Sequence, residues 1–131
     1  MSKKMDTDTN ALNWFEIPAK DIERAKKFYE AIFDIKMETM DMNGMKMAMF
    51  PFSPEGGKIS GALVQSQFHT PSATGAIIYL NGNPDLQQVL DRMEKAGGKV
   101  NMPKTLIKEE IGYMAFFSDS EGNTVGLHSN K

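Results

Sequence analysis

Residues 13–65 and 75–129 repeat one pattern of strand, helix, hairpin and strand. Ile22, Ala25, Tyr29 and Ile32 return as Leu86, Val89, Met93 and Ala96, each sixty-four positions later. Glu55-Gly56-Gly57-Lys58-Ile59-Ser60 rhymes with Glu121-Gly122-Asn123-Thr124-Val125-Gly126. No other feature restricts the fold as strongly. A duplicated unit packs against its own copy and builds a cleft between the two, so each position in one half has a partner in the other.

A chain of 131 residues suits one domain with a real core. The polar stretch Met1–Asn10 is expected to be a frayed tail, and the domain to span 11–131, with modules at 11–66 and 74–129. The tail lacks an apolar run, so it reads as neither signal peptide nor membrane span, and a cytoplasmic protein is the default expectation. Net charge is −2 with no basic stripe, which argues against nucleic acid as a partner. The absence of cysteine excludes disulfides, thiolate nucleophiles and Cys-based metal centres.

Local signals place the elements. Leu12 to Pro18 reads as a strand. Asp21 is a helix N-cap, and the apolar spacing carries that helix to about Phe33. Asn43-Gly44 between alternating runs is a two-residue hairpin turn. Pairing outward from it sets Met42 against Met45, Met40 against Met47 and Glu38 against Met49, with Asp41 facing Lys46 on the other side. The spacing predicts further strands at 58–65 and 75–80. A helix then opens near Pro84 and stops at Gly97-Gly98. Strands at about 99–107 and 112–118 follow, with Pro103 marking the first as an edge or bulged strand. Asn123–His128 closes the chain's last sheet.

The phrase running from Phe15-Glu16-Ile17-Pro18 through Asp21-Ile22 to Phe28-Tyr29 resembles the opening of the vicinal oxygen chelate superfamily. That group includes glyoxalase I, bleomycin-resistance proteins and extradiol dioxygenases. Asp119-Ser120-Glu121-Gly122-Asn123 resembles its closing signature, and Gly97-Gly98-Lys99-Val100 its second helix-to-strand turn. The similarity runs from about Asn13 to Ser129. It implies an α+β fold of two βαβββ modules whose curved mixed sheets enclose a cleft, and a homodimer. Metal-dependent members carry a histidine or carboxylate at four positions, which fall here on Trp14, Ser60, Ile77 and Gly126. Indole, an aliphatic chain and glycine offer no donor and a lone serine offers a poor one, so neither a metal nor another cofactor is expected.

Alternation across each strand adds the neighbours that share a face with these positions. The cleft is then expected to hold Trp14, Glu16, Ser60, Ile77, Tyr79, Gly126 and His128. Glu16, a carboxylate among apolar groups, is the candidate general base, with Tyr79 and His128 as proton donors. The plainer alternative sets Glu16 at a wet cleft mouth or gives it a backbone partner, leaves His128 on the surface or in a structural hydrogen bond, and packs Tyr79 and Trp14 into core. His69 lies in a polar linker and carries no functional signal. The methionines of the hairpin suit either core or an adaptable ligand wall, and the sequence leaves open which face they join. No phosphate loop or nucleophile elbow is present. The expected function is binding of an apolar or aromatic small molecule in a cleft without the family metal. The alternatives are a metal-free lyase or isomerase using Glu16, or a glyoxalase-like metalloenzyme if the ligand register is shifted.

Overall fold

Asp21 opens the first helix by accepting the Arg24 amide on its carboxylate at 3.2 Å. Helix α1 spans Ile22–Phe33 and buries Ile22, Ala25, Phe28, Tyr29 and Ile32, the stripe that the 3.6-residue period dictates. Left-handed Asp34, at φ 53°, ends it. The computed structural model describes residues 5–53, 55 and 58–131. Part of the expected tail (Met1–Lys4), Pro54, and Gly56 and Gly57 of the first closing segment lie outside the described residues.

Around α1 the first module sets β1 (Trp14–Pro18), β2 (Glu38–Met42), β3 (Met45–Met49) and β4 (Ser60–Gln65) in the order β1-β4-β3-β2. The hairpin register is the one its turn predicts: Met42 opposes Met45, Met40 opposes Met47 and Glu38 opposes Met49. Positive φ at Asn43 (51°) and Gly44 (81°) supplies the turn that fixes it. The second module repeats the topology as β5-β8-β7-β6, built from β5 (Tyr79–Asn81), β6 (Lys99–Lys108), β7 (Gly112–Ser118) and β8 (Thr124–Ser129). Two four-stranded mixed sheets with helices result, so the α+β architecture holds.

Two elements depart from the spacing. The strand expected at 75–80 is in the ladder only at Tyr79–Asn81, because β5 is an edge strand with β8 as its sole partner. The second helix is broken into α2 (Leu86–Leu90) and α3 (Met93–Ala96). At the break the Asp91 amide donates to the Gln87 carbonyl at 2.9 Å and the Arg92 amide to the Val89 carbonyl at 3.1 Å, while the Arg92 guanidinium turns away to the Ile32 carbonyl at 3.0 Å. Pro84 precedes the N-cap Asp85 and lies outside the helix. β6 is an edge strand with register shifts on both sides of Met102, in keeping with Pro103.

The repeat itself can now be measured from matching bonds. The Ile22 amide donates to Gln65 Oε1 at 2.8 Å, and the Leu86 amide donates to Ser129 Oγ at 3.0 Å. Gln65 and Ser129 end β4 and β8, so helices and closing strands are offset by sixty-four residues. The opening strands end on Ala19 N–H to Val64 O and Gly82 N–H to His128 O, an offset of sixty-three. Trp14 therefore corresponds to Ile77. Gly126 corresponds to Ala62, whereas the rhyme of the closing segments pairs it with Ser60.

The helix-bearing faces of both sheets merge into one core. It includes Ile17, Phe28, Tyr29 and Leu63 from the first half and Leu86, Met93, Phe117 and Leu127 from the second. Each such side chain, fully buried, contributes about 1.5–3 kcal/mol. A polar staple crosses the same boundary. The Tyr29 hydroxyl donates to Asp119 Oδ2 at 2.8 Å, and Asn123 Nδ2 donates to the Pro18 carbonyl at 2.8 Å. Burial first, then the Asp119 charge, holds the Tyr29 phenol well above its ordinary pKa. Glu121 accepts the Lys20 and Asp21 amides, each at 2.8 Å, and the Arg24 guanidinium at 2.7 and 3.0 Å. The closing turn of the second module thus caps the helix of the first. No described helix is long and apolar enough to cross a membrane.

Candidate functional site

The strand ladders sort the expected site residues onto faces. On the first sheet, Ile17, Ala48 and Leu63 point to the helix side and join the main core. The alternate residues therefore point the other way: Trp14 and Glu16 from β1, Ala62 and Val64 from β4, and the methionines from β2 and β3. Met47, Ala62 and Val64 form a small buried cluster of their own, with Met45 and Met49 packed against it. The methionine face is thus the face of Trp14 and Glu16. Trp14 remains 38% exposed and meets Phe52, 52% exposed, edge to face at 6.5 Å. Two aromatic rings stand at one end of a soft apolar floor.

Glu16 is the one carboxylate that β1 and β4 place on that floor. Its Oε1 lies 2.8 Å from Nε2 of His69. Nδ1 of the same ring lies 2.7 Å from the Ser66 hydroxyl. The linker after β4 therefore folds back over the sheet and presents an imidazole to β1. Sequence reading assigned His69 nothing, and fifty-three residues separate it from its partner. The only local hint was Ser66 three residues before it, the spacing of a turn.

The second sheet keeps Tyr79, Gly126 and His128 on its face away from the helices. Tyr79 opposes Gly126, His128 opposes Asn81 and Met114, and the Tyr79 ring packs on Phe116 at 5.7 Å. His128 Nε2 donates to the Ile111 carbonyl at 2.7 Å. A carbonyl only accepts, so Nε2 carries a hydrogen. Among the described residues no hydrogen bond joins Glu16 to Tyr79 or His128. The expected base and its two expected donors stand on different sheets, each with its own neighbours.

Ser60, Ile77 and Tyr79 line an open cavity of about 900 Å³ between the modules, with Phe15, Phe33, Phe50 and Leu80 among the other walls. The Ser60 hydroxyl is committed to the Pro51 and Phe50 carbonyls at 3.0 and 3.4 Å. A second cavity of about 650 Å³ is lined by Ser66 and His69 together with Lys20, Lys46 and Glu121. Trp14, Glu16, Gly126 and His128 line neither of these two and stand on the open sheet faces.

The residues do not fit a divalent ion of the vicinal oxygen chelate kind. The four positions carry Trp14, Ile77, Gly126 and, by the measured repeat, Ala62, none with a usable donor. Among the described residues no three His, Asp or Glu side chains gather within reach of one ion.

The family model described as Glyoxalase/Bleomycin resistance protein/Dioxygenase superfamily matches residues 11–127. The chain belongs to this superfamily. A glyoxylase-like domain-containing protein from Didymella fabae is 33% identical over 115 residues, covering 86% of this chain and 88% of that protein. Among solved structures, a glyoxalase I mutant from Zea mays superposes with a TM-score of 0.69 at 20% identity. This superfamily member covers 44% of that chain with 90% of its own, so it spans under half of the maize enzyme. TnmS3, an antibiotic-binding protein from Streptomyces sp. CB03234, superposes with a TM-score of 0.67 at 23% identity, over 96% of this chain and all of the other. At such identities the structures establish the shared fold.

Proposed function

We propose that this superfamily member binds an apolar or aromatic small molecule on the open face of its first sheet, without the metal of its enzymatic relatives, and works as a homodimer. One observation carries the reading: Trp14 and Phe52 flank a floor of Met47, Met49, Ala62 and Val64 beside the histidine-paired carboxylate of Glu16. Aromatic rings give a ligand large contact area, and methionine adapts to its outline. The antibiotic-binding neighbour supports a binding role on this scaffold. The dimer reading draws on β2, a fully exposed edge strand whose Met40 and Met42 are each 44% exposed.

Trp14 is the chain's single tryptophan, so its fluorescence reports on the site alone. Aromatic compounds that raise the melting temperature should also shift or quench Trp14 emission. W14A should then weaken their binding about tenfold, or ~1.4 kcal/mol. Compounds that stabilise the fold while leaving Trp14 emission unchanged would place binding elsewhere and overturn the reading. Sedimentation tests the homodimer, and a monomer across micromolar to millimolar concentrations would refute it.

A further inference from the structure

His69 is held from both sides. With an ionised Glu16 as acceptor at 2.8 Å, Nε2 of the ring carries the hydrogen. In the neutral imidazole Nδ1 is then bare, and the Ser66 hydroxyl at 2.7 Å donates to it. The Phe68 amide donates to the same Ser66 oxygen at 3.0 Å, which leaves the hydroxyl hydrogen for the imidazole. Nucleophile, base and orienting acid therefore stand in one hydrogen-bonded line, the arrangement that activates a serine. Ser66 and His69 line the 650 Å³ cavity, and Glu16 sits behind the ring outside it. The His69 side chain is 18% exposed and that of Glu16 is 36% exposed, so the base is the more sheltered of the two.

We propose that Ser66, His69 and Glu16 form an acyl-transfer site that hydrolyses small anionic esters. The site shares Glu16 and its His69 partner with the methionine face, but Ser66 opens onto the separate cavity beside the linker. Lys20 and Lys46 line that cavity and favour an acyl group bearing negative charge. Glu121 lines it too, but its carboxylate is neutralised by Arg24 and the amides that open α1. Ser66 Oγ attacks the ester carbon while its proton passes to Nδ1 of His69, and Glu16 holds the imidazolium through Nε2. The imidazolium gives the proton to the departing alcohol oxygen, which leaves the acyl group esterified to Ser66. Water attacks this ester as Nδ1 takes its proton, and that proton returns to Ser66, releasing the carboxylic acid.

The full chain is incubated with an alkyl fluorophosphonate, and the adduct is mapped on the wild-type protein by peptide mass. One adduct per chain, on Ser66, is expected. H69A should slow labelling about 100-fold, the scale of a lost general base, and added imidazole should restore part of it. E16Q should slow it and E16D should recover it, a pattern that mere loss of packing would not give. Turnover of the mono-4-nitrophenyl ester of succinate should exceed that of 4-nitrophenyl acetate and vanish in S66A. Absence of an adduct on Ser66, or labelling unchanged in H69A, overturns the proposal. Neither result bears on Trp14 fluorescence, so the binding reading stands or falls separately.

Discussion

The Tyr79 ring lies flat across Gly126, so close that a Cβ on residue 126 would meet it at 2.6 Å. The two residues are register partners on parallel strands β5 and β8. Phe15 and Gly61 form the matching pair on β1 and β4, again with the ring 2.6 Å from a would-be Cβ. The two pairs sit on opposite faces: Phe15 packs against the core, whereas Tyr79 stands on the open side. An aromatic ring covering a cross-strand glycine restores the packing that the missing side chain leaves out. G126A should therefore destabilise the fold by about 1–3 kcal/mol, read from the denaturant midpoint. In a Y79A background the same substitution should cost far less, because the clashing ring is gone. Additive losses would show that the ring is free to move aside.

Glu121 should set part of the acid limit of the fold. Partial burial pushes its carboxyl up, but the Arg24 guanidinium, the Asp21 amide, the Ser120 hydroxyl and the Lys20 amide together hold it below the usual range. A carboxylate with a lowered folded pKa stabilises the native state above its unfolded value, about 4.3. That contribution is lost as pH falls through the lower folded value. In E121Q the decline of stability below about pH 5 should flatten relative to wild type. E121A should cost about 1–3 kcal/mol at neutral pH by stripping the amides that open α1 of their acceptor. Parallel stability-versus-pH curves for wild type and E121Q would refute this.

Tyr29 sets a complementary alkaline limit. Its raised pKa means that the folded state keeps the phenol proton after an unfolded tyrosine, near pH 10, has begun to lose it. Stability linked to Tyr29 is therefore present below about pH 10 and falls as pH rises beyond it. Y29F should lose about 1–3 kcal/mol at neutral pH. Asp119 would retain the Glu121 and Asn123 amides and Asn123 Nδ2, so the turn should persist. The gap between wild type and Y29F should narrow above pH 10, measured by urea titration at each pH.

Metal analysis provides a fourth check. Protein purified without chelators is expected to carry no stoichiometric divalent ion, because the ligand positions hold Trp14, Ile77, Ala62 and Gly126. One equivalent of bound metal per chain, lost in E16Q or H69A, would contradict the donor assignment.

Much of this fold is written in short-range signals. The hairpin register follows from Asn43-Gly44 because that dipeptide tolerates positive φ at both turn positions. α1 follows from its cap and its apolar stripe, and the face assignments of β1, β4 and β8 follow from simple alternation. Sequence left open which face the methionines joined, since a run such as Met45-Lys46-Met47-Ala48-Met49 is symmetric until its partner strand is known. Pairing Met49 with Ala62 decides it. β5 reads longer than it is: its pairing with β8 begins only at Tyr79, although β8 itself starts at Thr124, opposite Ile77. His69 escaped notice for a different reason: its bond to Glu16 spans fifty-three residues, and no periodicity encodes such a contact. The closing turn was legible as a turn, but its role in capping α1 was not, because Glu121 and Lys20 lie 101 residues apart.

That distance bears on the order in which the molecule can mature. Helix α1 emerges early in synthesis, yet the acceptor for the Lys20 and Asp21 amides that lead into it is made about a hundred residues later. At a ribosome's pace of roughly 5–20 residues per second, the nascent first half waits several seconds before its helix is finished. A chain cut between the halves would carry the same defect permanently, so the two fragments should become native only when mixed.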